Sequence, residues 1–260
     1  MLWHERTGSG RPVVLLHGLG DDHGLWRHVV PAVADVCEAI AVDLPGHGRS
    51  SPIPEGASIG WMADQVAALL GELALHDVVL VGLSMGGGVA QTVALDHPER
   101  IGALGLVSTS PRFPDATRER FLARAAVAER EGLAAVMDAT VPRWFTPEWM
   151  AAHPDEVEAT RATVLATDPV AFARASRLNC VRDVSARLGE IRVPVLFVGG
   201  LEDPADPLRS VPEYQAAIPG VRVELLPGVS HLVPVEAPDR FVPLLRSFLA
   251  GLPAPSEETR

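Results

Sequence analysis

Six short, largely apolar runs punctuate the chain, and most of them leave no alternate position for water. They are "PVVLLHG" (12–18), "EAIAVDL" (38–44), "VVLVGL" (78–83), "IGALGLVST" (101–109), "VPVLFVGG" (193–200) and "VRVELLP" (221–227). Strands buried on both faces have this composition. Segments with helical spacing of apolar residues lie between them: 25–36, 59–73 and 86–97, with a last one at 238–249. Such alternation predicts an α/β fold, a mostly parallel central sheet with helices on both faces. Pro31 is expected to kink or delay the first helix.

The rhythm breaks near residue 110. From 112 to 188 the chain is rich in Ala, Arg and Glu with helical periodicity and no strand-like run. Residues 111–188 are therefore expected to form a helical lid inserted over one end of the sheet, with 1–110 and 189–252 as the core. The tail "PAPSEETR" (253–260) has the composition of a disordered terminus.

A chain of 260 residues, 47% hydrophobic, can bury one sizeable core plus an insertion. A formal charge of −11 argues against nucleic acid or an anionic membrane as partner, since both select basic patches. No apolar run approaches the roughly 18 residues of a membrane span, and "MLWHERTGSGRP" lacks the pattern of a secretory signal. Cys37 and Cys180 have neither metal-like nor redox-like spacing, so both are expected to be buried free thiols. A cytoplasmic enzyme fits these features.

The stretch "VVLVGLSMGGGVAQ" supplies the chemistry. Gly82-x-Ser84-x-Gly86 ends a strand and opens a helix, and small residues on both sides let the turn tighten until Ser84 stands at its corner. A serine hydroxyl is a weak nucleophile, so it needs a base. Nine histidines compete. His4, His28, His76, His97 and His153 fall on helices, helix ends or the amino-terminal edge; His23 could line a pocket entrance; His47 is expected to brace its loop. His17 closes the first run beside the site. His231, in the loop after the last strand, would overhang the carboxyl ends of the sheet, where open parallel sheets bind ligands. Glu202, Asp203 and Asp206 follow run 193–200, and Asp203 is the preferred orienting carboxylate because it leaves the strand by a short turn. The chain order Ser84, Asp203, His231 (nucleophile, then orienting acid, then base) suits a serine relay on this type of sheet. The backbone N–H groups of Met85 and Leu19 are the expected oxyanion donors, with Gly18 allowing close approach.

The motifs "LLHGLG", "VDLPGHGRS", "GLSMGG", "GLEDPADP" and "GVSHLVPVEAPDRF", in this order over nearly the whole chain, resemble those of the α/β-hydrolase superfamily. The segments "GLSMGGGVAQTVALDHPERIGALGLVSTSPR" and "VPRWFTPEWMAAHP", with the stretch running into "VPVLFVGG", resemble 3-oxoadipate enol-lactonases. The resemblance implies hydrolysis of a small-molecule ester or lactone in aromatic catabolism, with neither metal nor cofactor. Its substrate would carry a free carboxylate, which Arg143, Arg177 or Arg182 could meet, with Trp144 packing the lid or touching substrate. The first edge strand of such proteins has little room here, since only "LWHER" precedes "TGSG". A carbon–carbon bond hydrolase, a general carboxylesterase and a small-molecule receptor remain as alternative readings. Ser at position 84 disfavours dehalogenase or epoxide hydrolase chemistry, which uses a carboxylate nucleophile.

Overall fold

The computed structural model describes residues 1–204 and 206–254. Seven strands form one sheet: β1 (His4–Gly8), β2 (Pro12–Leu16), β3 (Glu38–Val42), β4 (Val78–Leu83), β5 (Ile101–Val107), β6 (Val195–Gly200) and β7 (Arg222–Leu226). Their spatial order is β1-β3-β2-β4-β5-β6-β7, with β1 antiparallel to β3 and every other pair parallel. Six of the seven coincide with the apolar runs, trimmed at their ends. The edge strand β1 forms despite its short sequence; four of its five residues are exposed, so no apolar pattern betrays it.

Successive strand residues face opposite sides of the sheet, and the core divides accordingly. On one face Val14, Leu16, Leu80 and Leu104 meet Met62, Val66 and Leu70 of α2 (Ile59–Glu72) and Val89 and Val93 of α3 (Met85–Asp96). On the other, Val13, Leu15, Val79 and Val81 meet Val33 and, from α11 (Pro238–Ala250), Phe241 and Leu245. The expected helix over 25–36 is not continuous. A 3-10 turn at His23–Trp26, capped by Asp22, is followed by a single α-helical turn, α1 (Val30–Val33). Pro31 lacks the N–H that a through-running helix would need, so it sits in the first turn of a new one.

Between β5 and β6 the chain forms five α-helices and no named strand: α4 (Asp115–Glu131), α5 (Ala134–Thr140), α6 (Pro147–Ala152), α7 (Pro154–Ala166) and α8 (Pro169–Cys180). The bridge Arg112↔Asp183, the Val184 N–H bond to the Pro111 carbonyl and the Arg182 bond to the Ser110 carbonyl tie its two ends together. After β6 come α9 (Val211–Ala217), which the sequence reading missed, and, following β7, the single turn α10 (Val233–Glu236). Of the expected disordered tail, residues 255–260 lie outside the described residues. Among the described residues no helix is long and apolar enough to cross a membrane. Both cysteines are free and buried.

Candidate active site

The order of strands reverses at β2 and β4, and the loops leaving their carboxyl ends carry Leu19 and Ser84. All six residues of β4 are buried, so the strand delivers its terminus rigidly. Ser84 then adopts φ 53° and ψ −109°, a conformation that non-glycine residues avoid. The glycines on either side explain how the chain tolerates this. A Cβ on Gly82 would lie 2.3 Å from the Gly86 carbonyl oxygen, and one on Gly86 would lie 2.4 Å from that of Leu16. The strained residue is pinned by its own backbone. Its N–H donates to the Val107 carbonyl at 2.8 Å, and its carbonyl accepts from Gly88 N–H at 3.0 Å and Thr109 Oγ1 at 2.8 Å.

His231 Nδ1 lies 2.7 Å from Asp203 Oδ2. The Asp203 side chain is 1% exposed and the His231 side chain 13%. With Nδ1–H donating to the carboxylate, Nε2 is left as the acceptor nitrogen. Ser84 and His231 line one cavity. Among the described residues the Ser84 hydroxyl makes no hydrogen bond, to His231 or to any other group. Such contacts are often long in unliganded sites and tighten when substrate is present. Glu202, the neighbouring acid, is exposed; the Asp206 side chain, the third candidate, lies outside the described residues.

The N–H groups of Leu19 and Met85 have no hydrogen-bond partner among the described residues, and Leu19 lines the cavity. Two buried histidines brace the Leu19 loop. His47 Nε2 accepts from Gly20 N–H at 3.0 Å while its Nδ1 faces the Pro45 carbonyl at 3.0 Å. His17 Nε2 accepts from Leu44 N–H at 2.9 Å while its Nδ1 faces the Gly18 carbonyl at 2.7 Å. Burial pushes His17 down to about 4 and His47 to about 3, so both stay neutral and neither competes with His231 as a base. The expectation that His47 braces its loop is met. His23 does not line the cavity; its ring bonds Asp43 Oδ1 at 2.8 Å and packs on Trp3.

The cavity holds about 450 Å³ between the sheet's rim and the helical segment. Gly18, Arg143 and Trp144, the residues expected to contact substrate, all line it. Trp144 also packs on the core cluster, and its carbonyl accepts the Leu232 N–H at 3.0 Å, beside His231. The other two candidate cations do not face the cavity. Arg177 pairs with Glu129 at the surface; Arg182 is 3% exposed and donates to the Ser110 carbonyl at 2.5 Å. Three residues escaped the sequence reading. Arg124 of α4 lines the cavity. So does Asp21, whose carboxyl burial pushes up to about 7. Glu236, buried, accepts from Thr146 N–H (2.7 Å), Thr146 Oγ1 (2.6 Å) and Ser230 N–H (2.6 Å), joining the His231 loop to the helical segment. An acid between two prolines in "VPVEAP" was the one available signal for Glu236.

An open parallel sheet with a strained serine at its switch point and an acid–imidazole pair across the rim defines a hydrolase architecture. The alpha/beta hydrolase fold family matches residues 11–238, and the chain belongs to that family. It is 32% identical over 252 residues to the pimeloyl-[acyl-carrier protein] methyl ester esterase of Aeromonas hydrophila, covering 94% of this chain and 98% of that one. Among solved structures it resembles a thermophilic esterase from Thermogutta terrifontis with malate bound (TM-score 0.90, 31% identity, 96% and 93% of the two chains). It resembles equally the enol-lactonase of Burkholderia xenovorans LB400 (TM-score 0.90, 29% identity, 96% of each chain).

Proposed function

We propose that the protein hydrolyses a carboxylic ester or lactone through an acyl-enzyme on Ser84, as an enol-lactonase of the 3-oxoadipate type in cytoplasmic aromatic catabolism. The observation that carries the reading is Ser84, held in a strained turn, sharing one cavity with an imidazole whose far nitrogen bonds a buried carboxylate. His231 removes the Ser84 proton as the hydroxyl oxygen attacks the carbonyl carbon. Asp203 stabilises the imidazolium that forms. The Leu19 and Met85 N–H groups, lacking other partners, receive the oxyanion; one such donor is worth on the order of 3 kcal/mol in the transition state. As the intermediate collapses, His231 gives its proton to the leaving oxygen. Water, deprotonated by the same ring, then splits the acyl-serine and regenerates the hydroxyl. An enol leaving group tautomerises to a ketone, which makes ring opening irreversible. The helices of 111–188 serve as the lid that shapes the acyl pocket.

The test is a mass-spectrometric search for an acyl adduct on Ser84 across a panel of enol-lactones, simple lactones, aryl esters and vinylogous diketo acids. An adduct with lactones or esters supports the reading. Turnover of Ser84→Ala at the wild-type rate would end it; the expected loss is about five orders of magnitude in kcat.

A further inference from the structure

Among the described residues, four that are not glycine have positive φ: Ala74 (52°), Asp77 (51°), Ser84 (53°) and Ser108 (44°). Ala74 and Asp77 fall in the tight connection between α2 and β4. Ser84 is the strained corner of the active site. Ser108 directly follows the last residue of β5 and is 1% exposed. Its Oγ is buried with no hydrogen-bond partner among the described residues. A buried hydroxyl without a partner is costly, and so is positive φ in a residue that carries a Cβ. Both costs fall on one residue, and it lines the same cavity as Ser84 and His231. Strain that gathers at such a place points to function.

The neighbours of Ser108 hold it against the nucleophile. The Val107 carbonyl accepts from Ser84 N–H at 2.8 Å, and Thr109 Oγ1 donates to the Ser84 carbonyl at 2.8 Å. The N–H of Ser108 itself donates to the Val198 carbonyl of β6 at 2.9 Å. Sheet order fixes the side on which it stands. Across the carboxyl ends, β2 leads to Leu19, β4 to Ser84, β5 to Ser108, β6 to Asp203 and β7 to His231. Ser108 is therefore on the side of Ser84 from which the imidazole reaches over, opposite the oxyanion loop. On that side the leaving group departs and water takes its place. Ser110, also buried with its Oγ unpaired, continues the polar strip along the cavity wall, its carbonyl held by Arg182 at 2.5 Å.

We propose that the Ser108 hydroxyl holds the water that deacylates Ser84, accepting the hydrogen that this water does not give to His231. This role rests on the hydrolase reading and adds to it the residue that orders the second step. His231 Nε2 takes one hydrogen of the water while the water oxygen bonds the acyl carbon. The bond from that carbon to Ser84 Oγ then breaks as Oγ recovers a proton from His231. A single hydrogen bond to His231 leaves the water free to turn about it. A second, from its other hydrogen to Ser108 Oγ, aims a lone pair at the acyl carbon. Serine χ1 has three staggered positions, so the hydroxyl turns toward the cavity without backbone movement. During acylation the leaving oxygen of the ester stands in the same place but carries no hydrogen for Ser108 to accept. Ser108 therefore acts on deacylation and leaves acylation alone.

The experiment is pre-steady-state hydrolysis of p-nitrophenyl butyrate by wild type, Ser108→Ala and Ser108→Gly, with the acyl-enzyme on Ser84 followed by mass spectrometry. In both variants acylation is expected to stay within about 2-fold of the wild-type rate while deacylation slows about 10-fold. The fraction of Ser84 that carries the acyl group at steady state rises accordingly. Slowing of both steps alike, or of neither, would overturn the proposal. Stability supplies a readout that a purely structural serine would move the other way. Glycine is at ease at positive φ and removes the unpaired hydroxyl. Ser108→Gly is therefore expected to melt at the wild-type temperature or about 2–4 °C above it. A lower melting temperature, or failure to fold, would show that the hydroxyl serves the fold and would also overturn the proposal. If wild-type protein neither releases p-nitrophenol nor forms the adduct, the hydrolase reading falls and takes this role with it. That result is distinct from unselective slowing in the variants.

Discussion

The rim of the sheet and the helical segment above it meet at one cavity but are built by opposite means. On the rim, Ser84 and Leu19 are fixed from behind: by a strand buried along its whole length, a turn whose glycines admit no side chain, and two neutral histidines bonded on both nitrogens. Across the cavity, α4 presents Arg124, whose guanidinium has no hydrogen bond or carboxylate partner among the described residues. One wall is braced from behind and holds its free donors in fixed positions; the other carries a buried cation that no acid meets among the described residues. The physical difference follows from what each wall is asked to do. Charge that develops for an instant must be met by groups already oriented, whereas a stable charge on a substrate can supply the missing partner itself. Damage to the rim should therefore appear in kcat and damage to the helical wall in KM.

The sharpest test of the rim is Asp203→Asn. The amide cannot accept from His231 Nδ1–H and also keep the charge that stabilises an imidazolium, so the ring is free to take the wrong tautomer. The expected loss is about four orders of magnitude in kcat with little change in KM, read from steady-state kinetics on the best ester of the panel. A large KM effect instead would mean that the carboxylate also shapes the pocket.

Glu236 lies on the seam between the two walls, and its removal should blur the distinction. Its oxygens take three donors, two from Thr146 on the helical side and one from Ser230 beside His231. Glu236→Gln must turn an NH2 group toward at least one donor that now has an acceptor. Loss of about 1–3 kcal/mol in unfolding free energy is expected, with both kcat and KM impaired. Chemical denaturation and kinetics on one preparation would check this. An effect on kcat alone would place Glu236 with the rim.

What could be foreseen from sequence divides along the same boundary. Positions 84, 203, 231, 19 and 85 follow directly from where strands end, because a run of apolar residues fixes the strand and the strand fixes its terminus. Arg124 could not be found this way. The helical segment offers arginines at 112, 118, 120, 124, 130, 143, 161, 174, 177, 182 and 187, and helical spacing alone does not say which face of α4 the core will cover. Only three residues of that 17-residue helix are buried, so the apolar pattern is weak. The helix expected at 25–36, with a kink or delay at Pro31, is broken into a 3-10 turn and a single α-turn that starts around that proline. The edge strand β1 was hard to read because its exposed residues, Glu5, Arg6 and Thr7, carry no burial pattern; backbone pairing with β3 makes it a strand.

A last prediction tries to break the comparison rather than sharpen it. Asp21 belongs to the rim by chain position, immediately after the Leu19 loop, yet it lines the cavity as the arginines do. Its carboxyl is pushed up to about 7, by burial first and by the neighbouring Asp22 second; the Asp22 N–H at 3.2 Å and Arg27 oppose the shift. The unfolded chain releases this proton near 4, and the folded protein keeps it until about 7. Below pH 4 both states are protonated and Asp21 has no effect. As pH rises from 4 to 7 the unfolded state is increasingly favoured by its ionised carboxyl, and above 7 the penalty is constant. Asp21→Asn should remove that decline, raising stability at pH 8 by a few kcal/mol at most while leaving it unchanged at pH 4. Substrate affinity provides the second readout. Ionised Asp21 puts a negative charge into the cavity, so KM for an ester carrying a free carboxylate should climb through pH 7 in the wild type and stay flatter in Asp21→Asn, whereas KM for a neutral ester should not track this ionisation. If the variant altered kcat alone, Asp21 would act with the oxyanion loop, and the rim would hold no part of substrate choice. If it altered the KM profile as described, specificity would be divided between both walls, with the charge on one rim residue setting the pH at which the arginines opposite work best.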